Sequence, residues 1–485
     1  MKRHQPVAIR IRSTRCRDLY FLRKEGIPVS KMVLYNVRVP LLDGDGGGGL
    51  YTLEAENGKW SAVIPQSGFV HPPGAVPLDA WDGRMPEPPV RFDAGGKILL
   101  PGLVDAHMHL DKSFSLPYVG NASGTLEEAV HNYAEACPSF SKDTIRQRML
   151  RAALLAVSYG TSAIRTHLDF HVEKGRDVAM RTVEAALEVK EALKPYVTIQ
   201  LFPLIPQNHI TPGTMELAEE TIRMGVDGIG AAPHLSDDPN TGIDRIFRLA
   251  ERTGCPVDFH TDESDDPAVR TVVHIARRTM ELGFSGRVTV GHLCSLAAMS
   301  DEEAEPIIRL MAEAGLKAVS LPGANLYLQG RHDRYPVRRG VTRIRDIAAA
   351  GVPIAVASDN IHDPFHPFGR GDLLLIALIA AYAAHLGSPS DMRKLLRMIT
   401  VVPAGILGLA DYGVRAGCRA DFVIFDADSP EMLLTLLPER RWVHRGDRWL
   451  RIAAPPAGWS EAALQRYWDE AASLPVWINR EEKAG

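Results

Sequence analysis

The sequence predicts an α/β architecture: a (β/α)₈ barrel of the TIM type carrying a small discontinuous β-sandwich domain built from both chain ends. Three observations predict it. From about residue 97 to 412, short apolar strands alternate with long amphipathic stretches, the signature of parallel βα units. Eight such strands can be counted. Their C-terminal ends carry the histidines and aspartates, and that is the end at which a closed βα barrel keeps its chemistry.

Taken in order, residues 1–31 form an extension rich in Arg and Lys but without the apolar run of a secretory leader. Met32-Val-Leu-Tyr-Asn-Val-Arg-Val alternates as a strand, Gly44 to Gly49 is a flexible loop, and Lys59-Trp-Ser-Ala-Val-Ile is a second strand. Residues 32–96 with 413–455 are expected to form the β-sandwich domain around a barrel of residues 97–412. The barrel strands begin with Lys97-Ile-Leu-Leu-Pro-Gly-Leu-Val104. They continue with Thr161 to His167, Val197 to Pro203, Gly228 to His234, Pro256 to His260, Arg287 to His292, Lys317 to Pro322 and Pro353 to Asp359. Helices follow them, such as Asp265 to Leu282 and Gly371 to Leu386, with Asp372 and Asp411 as cap or turn residues. Residues 456–485 read as a helical tail with Trp468, Leu474 and Trp477 available for packing.

The chain has 485 residues, 45% of them apolar, enough for a large core, and a net charge of −4 on a mixed background of 24% charged residues. No basic groove or aromatic ladder argues for nucleic acid, and no run of about eighteen apolar residues argues for a membrane span. A small-molecule partner is expected. The five cysteines are scattered without a Cys-x-x-Cys pair, which fits a reducing cytoplasm.

The chemistry centres on Asp105-Ala-His-Met-His-Leu-Asp-Lys112. On a strand, residues i and i+2 share a face, so His107 and His109 converge as half of a divalent-metal site. His260 at the end of strand five and Asp359 at the end of strand eight complete a four-ligand set that still leaves room for water. Nitrogen and oxygen ligands suit zinc, iron(II) or manganese. No lysine ends strand three or four to bridge a second metal, so one ion is expected. It would lower the pKa of a water molecule toward neutrality. Glu263, three residues past His260, is placed to shuttle protons, and Asp359 could also accept the proton of the attacking water. His292 either polarises the reacting centre, steadies the water or serves as a fifth ligand; the residues alone leave these open.

Pro101-Gly-Leu-Val-Asp-Ala-His-Met-His-Leu-Asp, His260-Thr-Asp-Glu263, Gly291-His292, Leu328-Gln-Gly-Arg-His-Asp-Arg-Tyr-Pro-Val-Arg-Arg-Gly340 and Ser358-Asp-Asn-Ile-His-Asp-Pro364 together resemble the amidohydrolase superfamily, in particular its cytosine deaminase branch. The resemblance runs from about residue 95 to 425. It implies that His107, His109, His260 and Asp359 bind one Zn²⁺ or Fe²⁺, that Glu263 is the acid/base, that His292 contacts the hydrolytic water, and that the enzyme is a homo-oligomer. Two departures bear on substrate. Leu204 stands where the branch has a pyrimidine-reading glutamine, with Gln207 beyond it, and Asn360 follows the metal aspartate where a second Asp is usual. His109-Leu-Asp-Lys-Ser-Phe114 is similar to the related N-isopropylammelide isopropylaminohydrolases, which makes Lys112 a substrate contact; those relatives lack a Glu263 counterpart. Gln329, Arg331, His332 and Asp333 after strand seven, and Phe365 and His366 after strand eight, are candidate pocket residues, with Phe365 able to stack on a planar ring. The expected reaction is deamination of a planar nitrogen heterocycle related to cytosine, with hydrolysis of an N-substituted aminotriazine or a cyclic amide as the alternative.

Overall fold

The computed structural model describes residues 31–42, 49–453, 464 and 466. The extension to residue 30, most of the glycine run, and Trp468, Leu474 and Trp477 of the expected tail lie outside them.

Eight parallel strands, Leu103–Met108, Thr161–Asp169, Thr198–Ile205, Ile229–Ala231, Val257–Thr261, Val288–His292, Lys317–Ser320 and Ile354–Val356, pair in sequence order. The ring closes at its mouth. Asp359 N–H donates to the His107 carbonyl at 2.9 Å and His109 N–H donates to the Asp359 carbonyl at 3.3 Å. The seam that joins the last strand to the first is therefore made by the backbone of three candidate metal ligands.

Local sequence explains the outer helices. Asp238 accepts the Thr241 N–H, Pro239 occupies the first turn and Gly254 ends the helix in the left-handed region, which defines Pro239–Thr253. Its buried residues Ile243, Ile246, Phe247 and Ala250 repeat at helical spacing and face the strands.

A second, mixed sheet of nine strands includes Lys31–Arg38, Leu50–Glu56, Lys59–Gln66, Ile98–Pro101, Phe422–Phe425 and Arg441–Arg445. It has its own core, with Trp60, Phe92, Phe422 and Trp442 fully buried. Arg441 joins it to the barrel through two bonds to Asp372, at 2.9 and 2.8 Å, and Arg445 donates to the Ser162 carbonyl at 2.8 Å. Among the described residues, no helix is long and apolar enough to cross a membrane.

Several elements differ from expectation, each for a tertiary reason. The apolar run Lys97 to Val104 is not one strand. Ile98–Pro101 pairs antiparallel with Phe422–Phe425 in the mixed sheet, and the first barrel strand begins at Leu103. Gly102 sits at the crossing, where a Cβ would stand 2.5 Å from the Ser162 side chain. The third strand runs two residues further, to Ile205, so Leu204 lies within it. The fourth ends at Ala231, leaving His234 in the short turn Pro233–Leu235. The helix after strand five starts only at Thr271, where the buried Asp262 carboxylate accepts the N–H groups of Thr271 and Val272. Asp372 caps Leu373–Ala384.

Candidate active site

The strand ends bring four side chains from three parts of the chain together. His109 Nε2 and His260 Nε2 lie 3.0 Å apart, and Asp359 Oδ1 is 3.4 Å from His109 Nε2 and 3.6 Å from His107 Nε2. A tetrahedral zinc site with bonds of about 2.0–2.1 Å places its ligand atoms roughly 3.4 Å apart, so these spacings fit one ion. Both ring nitrogens of His107 and Oδ1 of Asp359 are buried without a hydrogen-bond partner, a costly state that a shared cation relieves. Burial pushes the pKa of His107, His109 and His260 well below the ordinary value, which keeps the imidazoles neutral, as metal ligation requires. The same burial raises Asp359 to about 7. The donor set could hold a divalent metal.

Glu263 is 8% exposed and sits in the same cavity, its Oε1 3.2 Å from His292 Nδ1. Two left-handed residues aim the pair. Asp262 (φ 53°) and His292 (φ 65°) turn the chain sharply where strands five and six end. Burial alone would raise Glu263, but its neighbour His292 outweighs it and holds the carboxyl below its usual value. Asn325, fully buried on Pro322–Leu328, reaches both members: its Nδ2 lies 3.2 Å from Glu263 Oε1 and 3.1 Å from His292 Nδ1.

The cavity encloses about 230 Å³, below the roughly 300–1,000 Å³ of drug-sized sites, so it suits a compact ring system. Lys112 forms part of its wall. Its Nζ donates to both Asp169 oxygens, at 3.0 and 3.1 Å, and sits 4.2 Å from the Phe365 ring centroid. Burial would lower this ammonium, but Asp169, Asp111 and Asp363 outweigh it and raise its pKa above the usual lysine value. Leu204 and Asn360 also line the cavity, and Asn360 Nδ2 is bound to Asp363 at 2.8 Å. Gln207 opens the short turn Gln207–His209. Gln329, Arg331, His332, Asp333 and His366 are not among the described residues that line the cavity. The Gln329 side chain packs over Gly340, Arg331 stacks on Tyr327, and Asp333 binds Arg338; Leu328 reaches the cavity instead.

Among the polar residues that sequence reasoning left unassigned here are Asn325, Asp363 and His234. Asn325 was unmarked by any motif of its own. Asp363 organises the loop after strand eight by accepting the Phe365 and His366 N–H groups as well as the Asn360 amide. His234, noted only as a strand-end histidine, lines the cavity and donates Nδ1–H to the His260 carbonyl at 3.1 Å. Burial lowers its pKa to about 4, so Nε2 is left as a neutral acceptor. Position after a strand end was the available signal for the last two.

Known proteins are similar to this chain in sequence and in fold. Residues 119–441 match the model of an amidohydrolase family. A pterin deaminase of Rhizobium rhizogenes (strain K84) is 34% identical over 404 residues, covering 82% of this chain and 89% of the relative. An N-isopropylammelide isopropyl amidohydrolase of Pseudomonas sp. (strain ADP) is 29% identical, covering 74% and 87% of the two chains. The crystal structure of 5-methylcytosine deaminase from Klebsiella pneumoniae superposes with a TM-score of 0.79 at 27% identity, over 89% of this chain and 100% of that one. The extent of the family match, the barrel and the histidine–aspartate cluster at its mouth agree, and the chain belongs to the amidohydrolase family.

Proposed function

We propose that this protein is a metal-dependent deaminase that hydrolyses the exocyclic C–NH₂ of a planar nitrogen heterocycle to C=O and releases ammonia, and that fused amino-heterocycles of the pterin class are its substrates. The observation that carries the reading is the Glu263–His292 pair, 3.2 Å apart, opening into the same cavity as the histidine–aspartate cluster. Similarity to a pterin deaminase supports the substrate class. So does the cavity, whose outer wall is apolar at Leu126, Val130, Phe170 and Leu235 and offers a second ring contact beyond the polar centre.

In this reading His107, His109, His260 and Asp359 hold one Zn²⁺ or Fe²⁺. Bound there, the metal would supply the Lewis acidity that brings a water molecule's pKa toward neutrality. Asp359 accepts one proton of the attacking water and passes it through Glu263, which is ionised at rest, to the neighbouring ring nitrogen as the water oxygen adds to the amino-bearing carbon and that nitrogen receives the electron pair of the C=N bond. His292 steadies the oxygen. Glu263 then relays the proton left on that oxygen to the amino group, the C–N bond breaks, and ammonia leaves as the carbonyl forms. Lys112, Leu204, Asn360 and Phe365 shape the ring's surroundings.

A second reading, hydrolysis of an N-substituted aminotriazine, is favoured by the buried Lys112 and by the similarity to the ammelide amidohydrolase. A cytoplasmic setting is supported by four buried free thiols among the described residues, and a homo-oligomer by the exposed aromatic rings of Tyr335, Phe368 and Tyr382.

The test is metal content of the purified protein together with ammonia release from pterin, cytosine, isocytosine, creatinine and aminotriazines, with Glu263→Gln as control. About one metal per chain with Glu263-dependent ammonia from pterin is the expected result. Alkylamine release from substituted triazines without ammonia from any amino ring would transfer the assignment to the second reading.

A further inference from the structure

We infer that Asn325 is a positioning residue that fixes the tautomer of His292, so that His292 presents an Nε2–H donor to the reacting centre and is not itself a metal ligand. The inference rests on the deaminase reading for its kinetic consequence, while its structural content stands on Asn325, His292 and Glu263 alone.

The argument is one of donors and acceptors. Asn325 is fully buried, and its amide edge faces Glu263 Oε1 at 3.2 Å and His292 Nδ1 at 3.1 Å. Turning the amide around would set its carbonyl oxygen against a carboxylate oxygen at the same distance, two lone pairs in a site shielded from water. The NH₂ group therefore faces inward, and it has two hydrogens for two neighbours. A proton on Nδ1 would have to turn away from Asn325 toward Glu263 Oε1, 3.2 Å off, and would leave the amide with one bond and one idle hydrogen in a buried site. With Nδ1 accepting from Asn325, the ring proton lies on Nε2. That nitrogen is buried without a partner among the described residues, and His292 lines the cavity and sits in one cluster with His107 and His260.

The consequence is a division of labour. An Nε2–H can donate to an oxygen but cannot offer a lone pair to a cation, so the ring is excluded from coordination through the nitrogen nearest the cluster. It also cannot take up a proton there, which leaves Glu263 as the carrier. Asn325 binds the carboxylate and the imidazole at once and holds them as one unit. The competing arrangement is an imidazolium that donates Nδ1–H to Glu263 at 3.2 Å. In that arrangement Asn325 would touch only the carboxylate.

The experiment is ¹⁵N NMR of zinc-loaded protein labelled at histidine, with the His292 signals assigned by their loss in His292→Asn. It is run on the wild type, on Asn325→Leu, which removes the amide, and on Asn325→Asp, which keeps the shape but replaces donor by acceptor. The expected result is an Nε2–H tautomer in the wild type and a shift to Nδ1–H in Asn325→Asp, with a mixture in Asn325→Leu. Zinc content should stay at one per chain in both variants. In steady-state ammonia release, kcat should fall roughly 10- to 100-fold with KM changed less than about threefold, as for loss of a preorganised donor. An Nδ1–H or doubly protonated His292 in the wild type overturns the inference, as does a tautomer that ignores both substitutions. If the wild type releases no ammonia from any ring but the tautomer responds as described, the deaminase reading fails and the inference about Asn325 stands.

Discussion

Two polar layers lie one above the other in this barrel, and they are built to opposite rules. At the mouth, His107, His109, His260 and Asp359 are buried with several ring nitrogens and a carboxylate oxygen unpartnered. Deeper in, the Arg165 guanidinium is enclosed by protein. It donates to Asp258 Oδ2 at 2.8 Å, to Thr289 Oγ1 at 3.2 Å and to Gln200 Oε1 at 2.9 and 3.1 Å. The lower layer satisfies its cation from within, whereas the upper layer gathers acceptors with no cation of its own. Burial of polar groups therefore marks structure where the groups answer one another and marks a site where they converge on a common point.

That contrast is broken most severely at the mouth. Glu263→Gln, which keeps shape but removes the transferable proton, should lower kcat by about 10³-fold or more while leaving the melting temperature near that of the wild type. Removal of the metal with a chelator should abolish activity, and zinc or iron(II) should restore it; retention of full activity in metal-free protein would remove the distinction between the layers. The lower layer should respond the other way. Arg165→Met strands the Asp258 carboxylate, which burial already raises to about 6 in spite of Arg165, and should cost about 3–5 kcal/mol in denaturant unfolding. An unchanged unfolding midpoint would show that this layer does not stabilise the barrel.

Lys112 sharpens the comparison because it belongs to both kinds: paired like Arg165, yet part of the cavity wall. Lys112→Met should raise KM roughly tenfold and also reduce stability by about 1–3 kcal/mol, since Asp169 loses its partner. A purely structural lysine would show the second effect without the first. The smallest effect is expected at His171, whose Nδ1 is 2.6 Å from Glu173 and whose Nε2 is 3.6 Å from Asp169. Burial opposes its charge, but these two carboxylates raise its folded pKa to about 9, from an unfolded value near 6.5. Because the folded value is the higher, its stabilisation is complete below about pH 6.5 and is lost as pH rises through about 9. His171→Asn should therefore destabilise by about 1–2 kcal/mol at pH 6 and by much less at pH 9.5, as read from urea unfolding at both pH values.

What could be read from the sequence follows the range of the interactions involved. The alternation of apolar runs, the helix caps such as Asp372, and the convergence of His107 with His109 are properties of neighbouring residues, so periodicity and spacing were enough for them. The start of strand one could not be read this way. An apolar run looks the same whether it stays in one sheet or crosses at Gly102 into another, because the partner that decides, Phe422–Phe425, lies more than three hundred residues away. The same holds for the loop after strand seven, where composition made Gln329 and Asp333 as eligible as Leu328, and only packing over Gly340 and pairing with Arg338 took them from the cavity wall.

The sequence by itself determined the element types, the faces they bury and the ends of the strands at which polar chemistry would collect. Tertiary structure alone decided which of those ends meet. His109 and His260 stand 151 residues apart in the chain and 3.0 Å apart in space. Asn325 reaches Glu263 and His292 from a seven-residue helix with no signature of its own. The reason is physical. A side chain's local sequence sets its secondary structure, but its hydrogen-bond partners in a closed barrel are set by strand order and register, which no single segment encodes.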